Sequence, residues 1–412
     1  MGAVLAASPS QIGIAAEGDL AERRLWLARL ALTDFRNYAQ TTVPLGPASV
    51  VLCGANGAGK TNILEAVSML APGRGLRGAS YGDLARLKGA GGWSVAARLN
   101  LDGDEIAIGT GQMPTESGGA PSGRVVRIDG ATTQGSGALG DYVQVLWLTP
   151  SMDGLFTGPA SERRRFLDRM VASFDDAHRT RLNHFERAMR QRNRLFETGE
   201  RSDRYFAAIE SQMAETATAI AAGRVEIVDR LAGSIAASRR PESPFPWADL
   251  ALEGWLEATV REKAAVDVED AYAARLAEGR DRDRAAGRTL EGPHRADLLV
   301  RHGPKDMPGH LCSTGEQKAL LIGLILGHAK ALKAGRDGIA PLLLLDEIAA
   351  HLDEARRIAL FAEIERLSAQ AWMTGTDEQV FAPLWNAAQF LTVANGSLAR
   401  NNPDLKRASA RT

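Results

Sequence analysis

Two cysteines, Cys53 and Cys312, are all that the 412 residues contain. They are too few for a disulfide framework or a four-thiolate metal site, and they suit a reducing cytoplasm. Long apolar runs are missing as well: none approaches the roughly 20 residues that cross a bilayer, so no membrane association is expected. The first 24 residues lack a basic stretch ahead of their alanine-rich run, which argues against a secretory signal. Excess charge is absent too. The 49 Lys+Arg against 50 Asp+Glu leave −1, so a polyanionic partner has to meet a local basic face. Lysine is scarce, 8 residues against 41 arginines, which leaves most of the positive charge on the side chain best shaped for phosphate. No internal repeat and no sustained heptad is found.

What is present is a globular composition, 45% hydrophobic and 24% charged, which excludes a wholly disordered or collagen-like chain. At about 150 residues per domain, the length allows two to three domains. From Leu25 a two-residue alternation predicts a strand with Trp26, Ala28, Leu30 and Leu32 on one face, turning at Asp34 to Tyr38. Ser49 to Cys53 is a second strand that runs into Gly54 to Thr61, after which Ile63, Val67 and Leu70 keep helical spacing. Residues 90 to 148 alternate in short stretches between turn residues, the pattern of an antiparallel β layer. From about Ser161 to Ala237, Phe166, Met170, Phe174, Leu182, Phe185 and Met189 recur at three- and four-residue steps on long charged helices. Prolines between Arg239 and Trp247 break them. A short Leu/Trp stretch, a helix near Val268 to Glu278 and a charged tract from Arg280 to Arg288 follow. After Gly292 the α/β character returns, with an apolar helix from Leu320 to Ala331 and a strand, Pro341 to Leu345, apolar enough to be buried on both faces. The expected organisation is an extension (1–24), a first α/β part (25–157), a helical insertion (158–291), a second α/β part (292–400) and a tail (401–412).

Three strings carry chemistry. Gly54-Ala55-Asn56-Gly57-Ala58-Gly59-Lys60-Thr61 satisfies G-x-x-x-x-G-K-[ST]; such a loop cradles phosphates with its amides, while Lys60 reaches the β/γ oxygens and Thr61 ligates Mg²⁺. Leu342 to Glu347 is an apolar strand ending in two carboxylates, of which Asp346 can hold the Mg²⁺ and Glu347 can orient or deprotonate the attacking water. Ser313-Thr-Gly315-Glu316-Gln317 ends 29 residues before Asp346 and places a hydroxyl and flexible amides at a helix N-terminus, an anion seat or a plain capping box. Together these predict a nucleoside triphosphate and Mg²⁺ as cofactors. For nucleic acid, residues 161 to 204 carry 12 Arg against 8 Asp/Glu, and Arg192, Arg194, Arg201 and Arg204 are candidates for phosphate contact or for a solvated helix face.

The three motifs resemble the ATP-binding-cassette superfamily, in which a signature of the Ser313–Gly315–Glu316 kind reaches across a head-to-tail dimer to the partner's γ-phosphate. In detail the chain resembles the RecF family of bacterial repair ATPases from Leu25 to Gly396, through Leu32-Thr-Asp-Phe-Arg-Asn-Tyr38, Gly54 to Ala66, Arg163 to Asp168, Gln191-Arg-Asn193 and Gly292 to Asp297. That resemblance implies an α/β, Rad50-like head with a β layer and an inserted helical lobe. It implies a weak ATPase that dimerises on ATP, binds DNA at gaps and single-strand/double-strand junctions, and works with RecR and RecO to load RecA, with hydrolysis as a slow timer. It also places Arg36 and Asn37 at the nucleotide pocket, where an ordinary surface turn is the alternative, and it puts His351 and Asp353 in a dimer-contact loop, with Asp353 either a cross-subunit signalling residue or the N-cap of a helix over 354–367. A short SMC-like or overcoming-lysogenization-type ATPase acting on nucleic acid is the alternative. A transporter ATPase is disfavoured by the 253 residues between Lys60 and Ser313. Thr149-Pro150-Ser151 stands where the family shows Pro-Glu, which leaves Gln144 as the candidate in the Q-loop region, and Ala371 to Asp377 has no switch histidine.

Overall fold

The structure, a computed structural model, describes residues 23–114, 123–240, 243–349 and 352–400. Its centre is a six-stranded sheet assembled from both ends of the sequence: β3 (Ser49–Cys53), β8 (Val145–Leu148), β12 (Leu342–Leu345), β13 (Ala371–Gly375), β14 (Ala388–Ala394) and β15 (Ser397–Arg400), in the order β15-β14-β3-β13-β12-β8. All neighbours are parallel except β14 and β15. The run of leucines in β12 has a simple cause. Leu342 and Leu344 face one core together with Val50, Leu52 and Trp372, and Leu343 and Leu345 face the other together with Val51, Cys53 and Met373. A strand covered on both sides has no solvent face on which a polar residue could alternate.

On one side lies an antiparallel sheet of β1 (Leu25–Phe35), β2 (Tyr38–Pro44), β4 (Trp93–Leu101), β5 (Asp104–Gln112), β6 (Val125–Ile128) and β7 (Ala131–Thr132), in the order β2-β1-β4-β5-β6-β7. Helix α1 (Lys60–Ser68) is packed into this core, which explains why seven of its nine residues are buried. The phase expected for β1 is corrected here. A bulge between Leu27 and Arg29 shifts the register, so the buried face is Leu25, Leu27, Leu30, Leu32 and Phe35, while Trp26 and Ala28 are half-buried on the other side. One extra residue in a strand turns every later side chain to the opposite face.

On the other side are α2 (Ala160–Val171), α3 (His178–Glu197), α4 (Asp203–Ala237), α5 (Trp255–Thr259), α6 (Ala265–Glu278), α7 (Arg280–Ala286), α8 (Thr314–Gly335) and α9 (Glu354–Arg366). The 35 residues of α4 span about 50 Å and join two cores. Ile227, Val228, Leu231 and Ile235 pack with α8, while Met213, Ala217 and Ile220 pack with Phe185 of α3 and Tyr272 of α6. A small antiparallel sheet joins β9 (Ala248–Glu253), the expected Leu/Trp stretch, to β10 (Asp297–His302) and β11 (Met307–Pro308). No described helix is long and apolar enough to cross a membrane.

Candidate functional site

The glycine loop leaves the C-terminal end of β3 and enters α1 at Lys60, the position where parallel α/β sheets present their ligand sites. Gly57 has φ +78 with open space around it, and Gly59 has φ +110, backbone states that a side chain resists. The loop is braced from β1 and β2. Tyr38 donates its hydroxyl to the Gly59 carbonyl at 3.0 Å, Asn37 donates to the Ala58 carbonyl at 3.2 Å, and Asn62 donates to the Asn37 side-chain oxygen at 2.8 Å. Arg36, at φ +53, forms a two-pronged pair with the fully buried Glu65 of α1 at 2.7 and 2.8 Å and donates to the Asp83 carbonyl at 2.7 Å. Asn37 therefore holds the loop itself, and Arg36 holds the helix that follows it.

Lys60 is 4% exposed, and its ammonium is satisfied by two carbonyls, Gly54 at 2.7 Å and Ala55 at 3.0 Å. No carboxylate pairs with it among the described residues. A buried cation bonded only to neutral dipoles is an unneutralised charge, and the loop amides around it make the pocket a seat for an anion. Thr61 donates to both carboxylate oxygens of Asp346 at 3.0 and 3.1 Å. This hard-oxygen donor set, one hydroxyl and one carboxylate in contact, fits a Mg²⁺ ion, which Thr61 and Asp346 would hold. Ala55, Asn56 and Gly57 of the loop are exposed, and Ala58 is half-buried. Glu347 follows Asp346 with φ +54 and donates its backbone N–H to Thr374.

The signature lies apart from this cluster. Ser313 is the N-cap of α8, and a capping box with Glu316 forms: Glu316 accepts from the Ser313 amide at 2.9 Å and from its hydroxyl at 2.8 Å. Lys305, followed by Ser313, draws the Glu316 carboxyl down to about 2. The Gly315 carbonyl accepts from Arg356 at 3.4 Å. Ser313, Thr314 and Gly315 are exposed, and among the described residues none of these contacts reaches the P-loop. Within one chain the signature and the P-loop are thus joined by none of the described hydrogen bonds. Asp353 acts as the N-cap of α9, accepting from the Arg356 amide at 2.8 Å; His351 lies outside the described residues.

Two further expectations are corrected. Gln144 precedes β8, and its carbonyl accepts from Leu342 at the start of β12, whereas Leu148, at the other end, accepts from the Asp346 amide. Gln144 therefore sits at the strand end remote from the phosphate loop. Arg192 is not a surface cation. It is fully buried, paired with Glu210 at 2.9 Å and Asp283 at 2.6 Å, and it donates to Thr289 and to the Leu276 carbonyl. Arg194, Arg201 and Arg204 are exposed.

The motif strings outside the pocket are joints between segments. Arg163 forms a two-pronged pair with Asp297 at 2.7 Å on both arms, and Arg164 donates to the Ala296 carbonyl. Asp168 accepts from Arg224 at 2.8 and 2.9 Å and lies 3.0 Å from His178. Burial alone would raise the Asp168 carboxyl, but the His178 hydrogen bond and the Arg224 charge bring it below the usual carboxylate range. Asn193 accepts from the amide and hydroxyl of Thr289. Tyr38, Glu65 and Thr374 were not singled out from sequence. An ordinary Tyr, Glu or Thr beside an apolar segment carries no signal until the fold shows what it touches.

Residues 26–397 match the family model of the RecF/RecN/SMC N-terminal domain. A DNA replication and repair protein RecF from Mesorhizobium japonicum is 56% identical over 373 residues, covering 90% of this chain and 97% of the relative. The chain belongs to the RecF family. The RecF protein of Brucella suis is 54% identical, covering 91% of this chain and 96% of its own. Among solved structures, the recombination mediator protein RecF-ATP in the RecFOR pathway superposes with a TM-score of 0.78 at 19% identity, covering 92% and 98% of the two chains. A Pyrococcus furiosus Smc head superposes with a TM-score of 0.50 at 17% identity, covering 94% of this chain and 99% of the other. At these identities the likeness concerns the fold, the ABC-type ATPase head shared by RecF and SMC proteins.

Proposed function

We propose that this RecF-family chain is a weak, Mg²⁺-dependent ATPase of the cytoplasm. On this reading it closes into a homodimer on ATP, grips DNA at gaps and single-strand/double-strand junctions, and acts with RecR and RecO in the loading of RecA. The observation that carries the reading is the buried Lys60 ammonium, held by carbonyls alone, beside a Thr61–Asp346 oxygen pair. Lys60 exchanges its carbonyl partners for the β- and γ-phosphate oxygens. Thr61 and Asp346 would hold the Mg²⁺, which would supply charge neutralisation for the phosphates when bound, and Glu347 takes the proton of the attacking water. The signature, exposed at Ser313, Thr314 and Gly315, faces the triphosphate of the second copy, so neither copy completes a pocket alone. Exposed arginines of α3, Arg187, Arg190 and Arg194, fall on one helical face at three- and four-residue steps and offer phosphate contacts in place of the buried Arg192.

The test is an electrophoretic mobility measurement on gapped, single-stranded and blunt duplex DNA, each with ATP, ADP or no nucleotide, with sedimentation run in parallel. ATP-enhanced binding to gapped DNA and an ATP-dependent dimer, both lost in Lys60→Ala, are expected. Equal binding in all conditions, or a chain that stays monomeric with a non-hydrolysable analogue, overturns the reading.

A further inference from the structure

We infer that Thr374 is a positioning residue for ATP hydrolysis: one buried hydroxyl ties the Asp346 carboxylate to the backbone of Glu347 and fixes the two acidic groups relative to each other. The inference rests on the reading of Asp346 and Glu347 proposed above.

Thr374 lies on β13, which runs between β12 and β3, so its side chain stands between the carboxylate end of β12 and the phosphate loop at the end of β3. It is 1% exposed. Its hydroxyl donates to Asp346 Oδ1 at 2.7 Å and accepts from the Glu347 amide at 2.8 Å. A hydroxyl has one proton and two lone pairs, so it can serve both neighbours at once. The second bond matters because Glu347 stands at φ +54, a conformation that non-glycine residues keep only when their surroundings enforce it. The amide of Glu347 is the handle by which the strand holds that conformation, and the conformation sets where the carboxylate points. The first bond leaves Asp346 Oδ2 free of Thr374 and shared only with Thr61 among the described hydrogen bonds, the arrangement that keeps one carboxylate oxygen turned toward the metal position. The segment from Ala371 to Asp377 contains no histidine. Here the link between the two acidic groups is a non-ionising hydroxyl.

Valine keeps the shape of threonine and removes the hydroxyl; serine keeps the hydroxyl and removes the methyl group. Displacing a catalytic group by about 1 Å costs on the order of a hundredfold in rate. Thr374→Val should therefore lower kcat by about 10- to 100-fold, while the affinity for fluorescently labelled ATP and the ATP-dependent dimer stay within about threefold of the wild type, since Lys60 and the loop amides are untouched. Thr374→Ser should restore kcat to within about threefold of wild type. Should the valine chain fail to fold, Thr374→Ala against Thr374→Ser makes the same comparison, because both lack the methyl group and differ only in the hydroxyl. A kcat in Thr374→Val equal to the wild type, or Thr374→Ser as impaired as Thr374→Ala, overturns the inference and leaves the proposed function standing. A wild-type chain that hydrolyses no ATP overturns both.

Discussion

Arg192→Met removes a guanidinium that is 0% exposed and has four hydrogen-bond partners, in a position that the arginine count of the helices nominates equally for DNA contact. The substitution leaves Glu210 and Asp283, each 2% exposed, without their shared cation. Breaking a buried pair by removing one partner costs about 3–5 kcal/mol. Two contacts soften the loss. Arg280 still pairs with Glu210, and the Leu290 amide still donates to Asp283. The lower end, about 3 kcal/mol, is therefore expected, a more than hundredfold shift in the folding equilibrium and roughly 3–4 °C in the melting temperature of a 412-residue chain. Thermal melting followed by circular dichroism measures the shift. Gel-shift titrations at a temperature well below the transition then report DNA affinity of the folded variant, which should equal the wild type. A variant that melts within about 1 °C of wild type yet binds DNA distinctly more weakly refutes the reasoning, because it makes Arg192 a contact residue and the buried network energetically idle.

Two further outcomes follow from the same physical arguments. Gly59→Ala places a methyl group 2.5 Å from the Asn37 amide nitrogen and 2.9 Å from the Tyr38 hydroxyl at φ +110; strain of about 1–3 kcal/mol should weaken ATP binding roughly 5- to 150-fold, and unchanged affinity in a nucleotide titration would count against the braced-loop account. His328 is held neutral inside α8, its imidazole pushed down to about 3 by burial and then by the Arg169 charge, with Ser173 2.8 Å from Nε2. The unfolded chain takes up this proton near pH 6.5 and the folded chain does not, so the stability is complete above that value and declines as pH falls toward 3, by about 2 kcal/mol at pH 5. Urea titrations at pH 7.5 and 5 should show a smaller loss in His328→Leu than in wild type; equal losses would remove His328 from the account.

The nucleotide pocket was legible because its demands are local and chemical. A phosphate-binding loop needs glycines at fixed steps, a lysine at the start of a helix and a hydroxyl next to it, and all of these lie within eight consecutive residues, Gly54 to Thr61. The buried strand ending in Asp346 and Glu347 was legible for a similar reason, since double-sided burial leaves an unbroken run of leucines. Periodicity was less secure where one residue decides it. The bulge after Leu27 reversed the face of Trp26 and Ala28, and nothing in a string of apolar residues announces an extra residue in a ladder.

By itself, then, the amino-acid order determined the elements, their sequence along the chain and the chemistry of the pocket, because turn glycines, helical spacing and motif residues act over a few positions. Tertiary structure alone decided which polar groups meet. Arg192 found Asp283, 91 residues away, Arg163 found Asp297 across 134, and Thr374 came between Asp346 and the Glu347 amide from a neighbouring strand. An arginine in a helix has the same spacing whether it faces water or a buried carboxylate. Only the packing that removes water from it separates a surface cation from a structural joint.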